Sequence, residues 1–251
     1  YDGRSRLTQA ERYDTDGSTL LHRFSYTYDD ADNMLTKVVY DAVAATTATT
    51  AFEYNGTMLT KSTQGATQTT FAYDPKGRLT SKNDGAYSAS YAYRYDDKLF
   101  SLTSDFPNEG NVSYTYGADS KRRSRTAGGT TTKYRWAGWN ILNEEDASGT
   151  LTMTYVGHTA ADVSGSNPAS GTWRYYSQDH LGSTRRLRAH DKSSLAAYEF
   201  SPYGEHYAVS GAASTSHQYA TLEWDSVSRL HFAPFRYYAS GLGRWTTADP
   251  M

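Results

Sequence analysis

Residues 173–188 read WRYYSQDHLGSTRRLR. An aromatic run ends at Tyr175 and Tyr176. Asp179, His180, Leu181, Gly182 and Ser183 then form a cluster of turn residues, and Thr184 opens a second extended run that includes Arg185, Arg186 and Arg188. Asp179 suits the first corner of a tight reversal because its carboxylate accepts backbone N–H bonds from residues just ahead of it. Gly182 supplies the positive φ that closes such a turn without a Cβ penalty. The stretch therefore reads as strand, turn, strand.

The same grammar recurs upstream. Aligned on a tyrosine before an acidic or small turn, the chain shows Tyr1 (YDGRSRLT), Tyr28 (YDDADNMLT), Tyr54 (YNGTMLT), Tyr73 (YDPKGRLT), Tyr95 (YDDKLFSLT) and Tyr116 (YGADSKRRS), spaced 19–27 residues apart. A drifting period suits hairpins of variable length better than a rigid solenoid coil. Asp74, Pro75 and Gly77 stand at the first, second and fourth positions of a type I turn, each where that turn favours it. Asp14 with Gly17 and Asp146 with Gly149 repeat the spacing, and in Asp30–Asn33 the asparagine is expected to take the positive φ. Before the turns, segments such as Phe24-Ser25-Tyr26-Thr27-Tyr28 alternate with period two, which predicts strands with one aromatic face.

No segment sustains a helical period, and residues 195–200 have room for one helical turn at most. Residues 42–51 are expected as a long loop or a β tongue, and residues 164–171 as a loop rich in Gly, Ser, Asn and Pro. The regular repeat is expected to fill residues 1–133. Residues 134–251, which hold all five tryptophans, are expected to form a less regular, more heavily packed closing region.

Composition points the same way. Only 37% of residues are hydrophobic, but there are 23 Tyr, 8 Phe and 5 Trp. Aromatic side chains fit a pleated, half-buried surface, and tyrosine buries its ring while its hydroxyl stays hydrogen-bonded. A net charge of −2 gives no global pull toward nucleic acid or an anionic membrane. No apolar run is long enough to span a bilayer. The absence of cysteine excludes disulfides and thiolate metal sites, and no motif calls for a cofactor. The basic clusters Lys121-Arg122-Arg123 with Arg125, and Arg185-Arg186 with Arg188, are expected to line a strand face with alternate arginines stacked on tyrosines. Asp179-His180 lacks the further ligands a metal needs, so His180 is expected against the aromatic wall. The chain opens inside a repeat, at Tyr1-Asp2-Gly3, so the natural N-terminus is expected upstream.

Three landmarks follow one another behind the tyrosine repeat. They are DHLGS with Asp179, His180, Gly182 and Arg185; FSPYGE with Pro202 and Gly204; and RYYASGLGRWTTADP with Arg236, Tyr237, Gly243 and Arg244. With them the chain resembles the Rhs/YD-repeat family along essentially its whole length. The resemblance implies an all-β fold of consecutive antiparallel hairpins spiralling into a large curved sheet, part of a hollow barrel or cocoon. Residues 134–251 would be the Rhs core-associated region. It implies a bacterial protein, secreted or at the cell surface, whose shell encloses its own C-terminal toxin as cargo and engages a secretion system or toxin-complex partner.

The resemblance further implies an aspartyl-protease-like self-cleavage near the C-terminus, in which one carboxylate activates water and a second acts as acid. Asp225, within Glu223-Trp224-Asp225, and Asp249, within Asp249-Pro250-Met251, match the family's acidic positions. Ala239 stands where the family's RYYDP string carries aspartate, which implies either a degenerate core that cuts poorly or not at all, or another partner for Asp225, with Asp249 and Glu223 as the candidates. A function of another class, carbohydrate binding or adhesion at cell-surface glycans, rests on tyrosines alternating with Thr and Asn.

Overall fold

The computed structural model describes residues 1–157 and 161–249; His158, Pro250 and Met251 lie outside the described residues. The chain is nearly all β and divides into two compact units, residues 1–89 and 90–251. In the first unit, strands β1 (Gln9–Tyr13), β2 (Leu20–Tyr28), β3 (Met34–Asp41), β4 (Thr46–Asn55), β5 (Met58–Gln64), β6 (Thr67–Tyr73) and β7 (Leu79–Asn83) follow in order. Each pairs antiparallel with the next. Strand β8 (Ser88–Tyr93) crosses the boundary between the units.

The second unit continues the pattern with β9 (Leu99–Ser104), β10 (Val112–Tyr116), β11 (Arg122–Ala127), β12 (Thr130–Ala137), β13 (Asn140–Glu145) and β14 (Leu151–Val156). Strands β15 (Ala161–Ser164), β16 (Thr172–Gln178), β17 (Thr184–Arg188), β18 (Ser194–Phe200) and β19 (His206–Gly211) complete the run. These also pair antiparallel, each with its successor. Hairpin succession thus extends to Gly211, and residues 133 and 134 lie inside β12. The irregular part begins only after β19. It holds a separate four-stranded sheet, β20 (Glu223–Asp225), β21 (Leu230–Phe232), β22 (Tyr237–Ala239) and β23 (Arg244–Trp245), in that spatial order.

One reversal unit recurs along the chain. At Asp74 the backbone N–H donates to the Arg78 carbonyl (3.0 Å), and the Gly77 N–H donates back to the Asp74 carbonyl (2.9 Å). Gly77 sits at φ +75°. The Asp74 carboxylate accepts the Lys76 and Arg78 amides at 2.9 and 3.1 Å. The same pair of backbone bonds recurs at Asp2, Asp29, Arg94, Gly117, Asp146, Asp179, Ala189 and Ser201. The DHLGS and SPYGE landmarks are therefore further copies of the YD turn. A register shift marks the strand just before many of these turns, as at Thr27/Tyr28, Ala72/Tyr73 and Ser177/Gln178. This is the bulge expected where a left-handed residue closes a type I turn.

Three local expectations change. In the turn after Tyr28 it is Asp32, not Asn33, that takes positive φ (+65°); Asn33 is buried, and its amide donates to the Asp29 carboxylate. In the fifth repeat the frame lies two residues earlier than the Tyr95 alignment. Arg94 holds the aspartate's backbone position, Asp97 takes φ +62°, and Tyr95 is 86% exposed at the turn tip. Residues 195–200 are not helical but belong to β18, which is paired on both sides. Residues 42–51 form the tip and return of the β3–β4 hairpin, and the expected loop falls between β15 and β16.

The repeat tyrosine does more than fill space. In the first unit the Tyr28 hydroxyl donates to the Leu7 carbonyl (2.7 Å), and Tyr54 donates to the Met34 carbonyl (2.8 Å). In the second unit Tyr116 donates to the Leu99 carbonyl (2.7 Å). Each ring thus reaches back one hairpin and ties its backbone. The buried face of the first unit includes Phe24 of β2, Phe52 of β4, Leu59 of β5, Phe71 of β6 and Leu79 of β7.

The four-stranded sheet has two unlike faces, because residues in register share a face. Glu223 opposes Phe232, and Phe232 opposes Tyr237. This row packs on β10–β12: the Tyr237 ring lies 5.1 Å from that of Tyr114, and Phe232 lies 6.3 Å from Trp136. The adjacent row, Trp224, His231, Tyr238 and Trp245, faces the other way. It stacks on His206 and Tyr219, with ring separations of 4.7 Å for Trp224–His206 and 5.8 Å for Tyr219–His231.

Two outcomes test this account. Tyr54→Phe removes one hydroxyl that spans two hairpins and is expected to cost about 1 kcal/mol, read from urea unfolding followed by far-UV circular dichroism. Hydrogen bonds from the turn amides or side chains hold the carboxyls of Asp2, Asp16, Asp29 and Asp146 below their ordinary value of 3.8, Asp16 at about 2. A depressed carboxylate contributes stability above its unfolded pKa and loses it as pH falls through the folded one. These turn carboxylates are therefore expected to lower the urea midpoint as pH falls from about 4 to 2.

Candidate functional site

The basic cluster of β11 and the acidic residues of β20 meet between the two sheets. A bulge in β11 makes this possible. Tyr116 opposes Arg122 while Tyr114 opposes Arg125, so the register slips by one residue between them. Strict alternation would place Arg122 on the same face as Ser124; the slip instead puts Arg122 and Arg125 on the face shared by Tyr114 and Tyr116.

Asp225 is 3% exposed and fully engaged. Arg125 grips it with two parallel bonds of 2.8 Å, Nε to Oδ2 and Nη2 to Oδ1. The Tyr114 hydroxyl donates to Oδ2 at 2.6 Å, and the amides of Val227 and Ser228 donate to Oδ1 at 2.9 and 3.2 Å. Burial alone pushes the carboxyl up; the Arg125 guanidinium and the Tyr114 hydroxyl outweigh it, and the net direction is down. Asp225 is thus held as a carboxylate.

Next to it, Arg122 has no exposed surface. Its Nη2 donates to Glu223 Oε1, and its guanidinium lies 4.1 Å from the Phe232 ring centroid and 4.4 Å from that of Tyr134. Tyr237, 2% exposed, presents its hydroxyl to Arg122 Nη1 (3.4 Å) and to the Tyr116 hydroxyl (3.3 Å). Glu144 adds a third acid. It opposes Tyr134 across β12–β13 and accepts the Tyr155 hydroxyl at 2.5 Å. Burial first, and the Glu223 charge second, push its carboxyl up to about 7. Glu144 was not legible as a site residue: its partners lie on three other strands and nothing in Asn143-Glu144-Glu145 marks it.

Asp249 lies elsewhere. It is exposed, and Arg236 reaches it at 3.3 Å. Asp225 ends β20 at one edge of the small sheet, and Asp249 follows β23 at the other. No contact joins the two among the described residues.

The landmark residues are structural neighbours of this sheet. Asp179 accepts the Leu181 and Ser183 amides, closing its turn. Gly182 sits at φ +78°, and a Cβ there would strike the Thr221 side chain at 2.6 Å. His180 is exposed, not packed on the aromatic wall, because it occupies the turn tip. Arg185 pairs with Glu199 and lies over the Phe200 ring. The Pro202 carbonyl accepts the Tyr219 hydroxyl, and Gly204 leaves room for the Tyr219 ring. Arg236 stacks on Trp245 at 4.2 Å, while Gly243 (φ +63°) reverses the chain into Arg244 on β23. The basic clusters are largely consumed internally. Arg122, Arg123, Arg125 and Arg185 each pair with a carboxylate.

No protein-family model matches the chain. It is 24% identical over 230 residues to the tRNA3(Ser)-specific nuclease WapA of Bacillus spizizenii and to the tRNA nuclease WapA of Bacillus subtilis strain 168, covering 90% of this chain and 9% of each relative. These relatives agree with the Rhs/YD-repeat resemblance. The chain spans about 9% of the length of the curated relatives it matches. Among solved structures it is similar to a TcdB2–TccC3–TEV crystal structure, with TM-score 0.49 and 15% identity over 100% of this chain and 17% of that one. A Photorhabdus luminescens Tc holotoxin pore gives TM-score 0.44 and 13% identity over 97% of this chain and 18% of that one.

The Glu144 environment has a pH signature of its own. An acid whose pKa rises on folding, from 4.5 to about 7 here, weakens the fold as pH climbs through that interval, because the unfolded chain ionises first. Glu144→Gln removes this penalty. The variant is expected to match the native chain in urea midpoint at about pH 5 and to exceed it at about pH 8.

Proposed function

We propose that this chain is a wall segment of an Rhs-type toxin shell, which encloses a C-terminal toxic effector carried further along the same polypeptide. The observation that carries the reading is the succession of antiparallel hairpins in both units, through Gly211, in which strands such as β8 and β10 alternate buried and exposed residues, with the small sheet bound to the second unit. Such a succession makes a thin two-faced wall, not a globular core. Adding hairpins edge to edge also covers strand edges that would otherwise template aggregation. The mechanism is steric: cargo held behind the wall is kept from the producing cell until delivery. The relatives named as tRNA nucleases support an effector of nuclease type as cargo. Secretion or surface display follows from that role; among the described residues no helix is long and apolar enough to cross a membrane.

In this reading Asp225 acts as a clamp between sheets. Self-cleavage by Asp225 with Asp249 would require release of Asp225 from Arg125 and transfer of Asp249 across the small sheet. The complete gene product, expressed whole beside its Asp225→Asn variant, is expected to run as a single full-length species under denaturing conditions in both cases. Limited trypsin digestion of the native protein is expected to spare the region downstream of residue 251, and heating to expose it. Downstream sequence cut as fast in the native state as after heating would overturn the container. Two wild-type fragments that merge in the variant would assign peptide cleavage to Asp225.

A further inference from the structure

A concavity of about 620 Å³ lies wholly within the second unit, walled by residues of β13, β14, β16, β18 and β19, by residues 211–218, and by β20 with the turn that follows it. That volume is ordinary for a small-molecule site. Two arginines wall it, and only one is committed. Arg174 binds the Asp162 carboxylate through Nε and the Ser214 carbonyl through Nη1. Arg229 is exposed, and among the described residues no acceptor takes its guanidinium. The group lies 5.4 Å from the Trp224 ring centroid, and after burial its charge is what pushes the His206 imidazole down. Both rings wall the cavity, so the cation is held at its side. Stacking covers a face of a guanidinium and leaves the N–H donors at its edge free. The backbone adds a second sign. Arg229 ends the Asp225 turn at φ +53°, with its amide on the Asp225 carbonyl (2.8 Å). Glycine would take that conformation without a Cβ penalty. An arginine there carries strain, and what the strain secures is a cation beside the cavity.

We propose that this cavity binds a single carboxylate carried on a stem with hydrogen-bonding groups, and that Arg229 is its anchor. The guanidinium fork matches the two oxygens of a carboxylate. One uncommitted cation suits one negative charge, and a dianion would turn its second charge toward Glu144, which shares the cavity wall. Ser214 and Ser226 are exposed on the same wall, with hydroxyls the fold does not use. They are partners for hydroxyl or amide groups on the stem. Glu144 adds a pH dependence. Its carboxyl, pushed up to about 7 by burial and then by the Glu223 charge, also feels Tyr155, Arg122, Asp162 and Tyr134 from four other strands. A bound carboxylate is repelled by the ionised form and not by the protonated one. His206 stays neutral across that interval, because burial lowers its pKa. The chemistry is shared by the C-terminus of a peptide, whose stem carries amides, and by a free hydroxy acid.

Isothermal titration calorimetry of the 251-residue chain tests this with two acids and their neutral counterparts. The probes are Nα-acetyl-alanyl-alanine beside its C-terminal amide, and gluconate beside sorbitol. At least one acid is expected to bind saturably, and its neutral counterpart about tenfold more weakly. Binding of the dipeptide alone marks a peptide terminus as the source, and binding of gluconate alone marks a free hydroxy acid. Arg229→Gln, at an exposed turn position, is expected to bring the acid down to the level of its neutral counterpart with the circular dichroism spectrum unchanged. Arg229→Lys keeps the charge without the fork and is expected to fall between the two. Native binding is expected to weaken severalfold as pH rises from about 6 to 8, and Glu144→Gln to flatten that profile. Equal affinity for each acid and its neutral counterpart, full affinity in the folded Arg229→Gln variant, or no binding of either acid at about 20 mM would overturn the proposal.

Discussion

The recurring reversal of this chain depends on one pair of backbone bonds, closed by a residue at positive φ and in many copies anchored by an aspartate carboxylate. The turn is local, complete within a few adjacent residues, and its bulge sets which face each following strand presents. The preceding tyrosine completes the unit. Its ring lies on the buried face, and in Tyr28, Tyr54 and Tyr116 the hydroxyl reaches the backbone of the hairpin before. Phenylalanine would fill the same volume and leave that carbonyl to find another donor. The Tyr-Asp pair therefore couples turn geometry to hairpin stacking, and repeating it builds a sheet whose contacts lie mostly between sequence neighbours.

The small sheet is attached by different means. Arg122–Glu223 and Arg125–Asp225 join residues about a hundred positions apart and sit where water is scarce. A buried pair of this kind adds little net stability over a well-packed apolar contact, because desolvation offsets the attraction. Breaking one partner is another matter: an uncompensated buried charge costs about 3–5 kcal/mol. The pairs act as a register lock. Sliding β20 by one residue would turn Trp224 toward the arginines and both carboxylates toward His206 and Tyr219. The aromatic row on the opposite face reinforces the choice, since Trp224 and His231 fit only against rings.

The hairpins were legible because turn chemistry is written in adjacent residues. Asp74-Pro75-Lys76-Gly77 specifies its reversal without help from the rest of the fold. In the fifth repeat Tyr95-Asp96-Asp97 imitates the signature, while the backbone turn follows Tyr93 and Arg94. Asp32 displaced Asn33 from the left-handed position because the Asn33 amide is worth more buried, bonded to Asp29 and to the Gly56 carbonyl. The candidate site was less legible. Asp225 and the β11 arginines were each visible, but their union depends on a bulge that changes the phase of β11 and on contacts between residues far apart in the chain. Glu144 carried no local mark at all. Its raised pKa comes from burial beside Glu223, a property of the assembled layers.

The register of the small sheet bears on the proposed role of Asp225 as a clamp. Asp225 opposes Leu230, and since His231 opposes Tyr238, Leu230 stands across from Ala239. Positions 225, 230 and 239 thus form one row on one face, with the α-carbons of 225 and 239 about 10 Å apart at ordinary strand spacing. An aspartate at 239 would share a face with Asp225, close enough for two carboxylates to perturb each other's protonation. Alanine there removes that second charge. Asp225 is left with Arg125, Tyr114 and its own turn amides as its neighbours, all of which favour the ionised form. A group so held stays ionised, whereas a general acid must carry a proton at the working pH. The proposed role that fits this setting is an anchor that fixes the edge strand of the small sheet to β10 and β11.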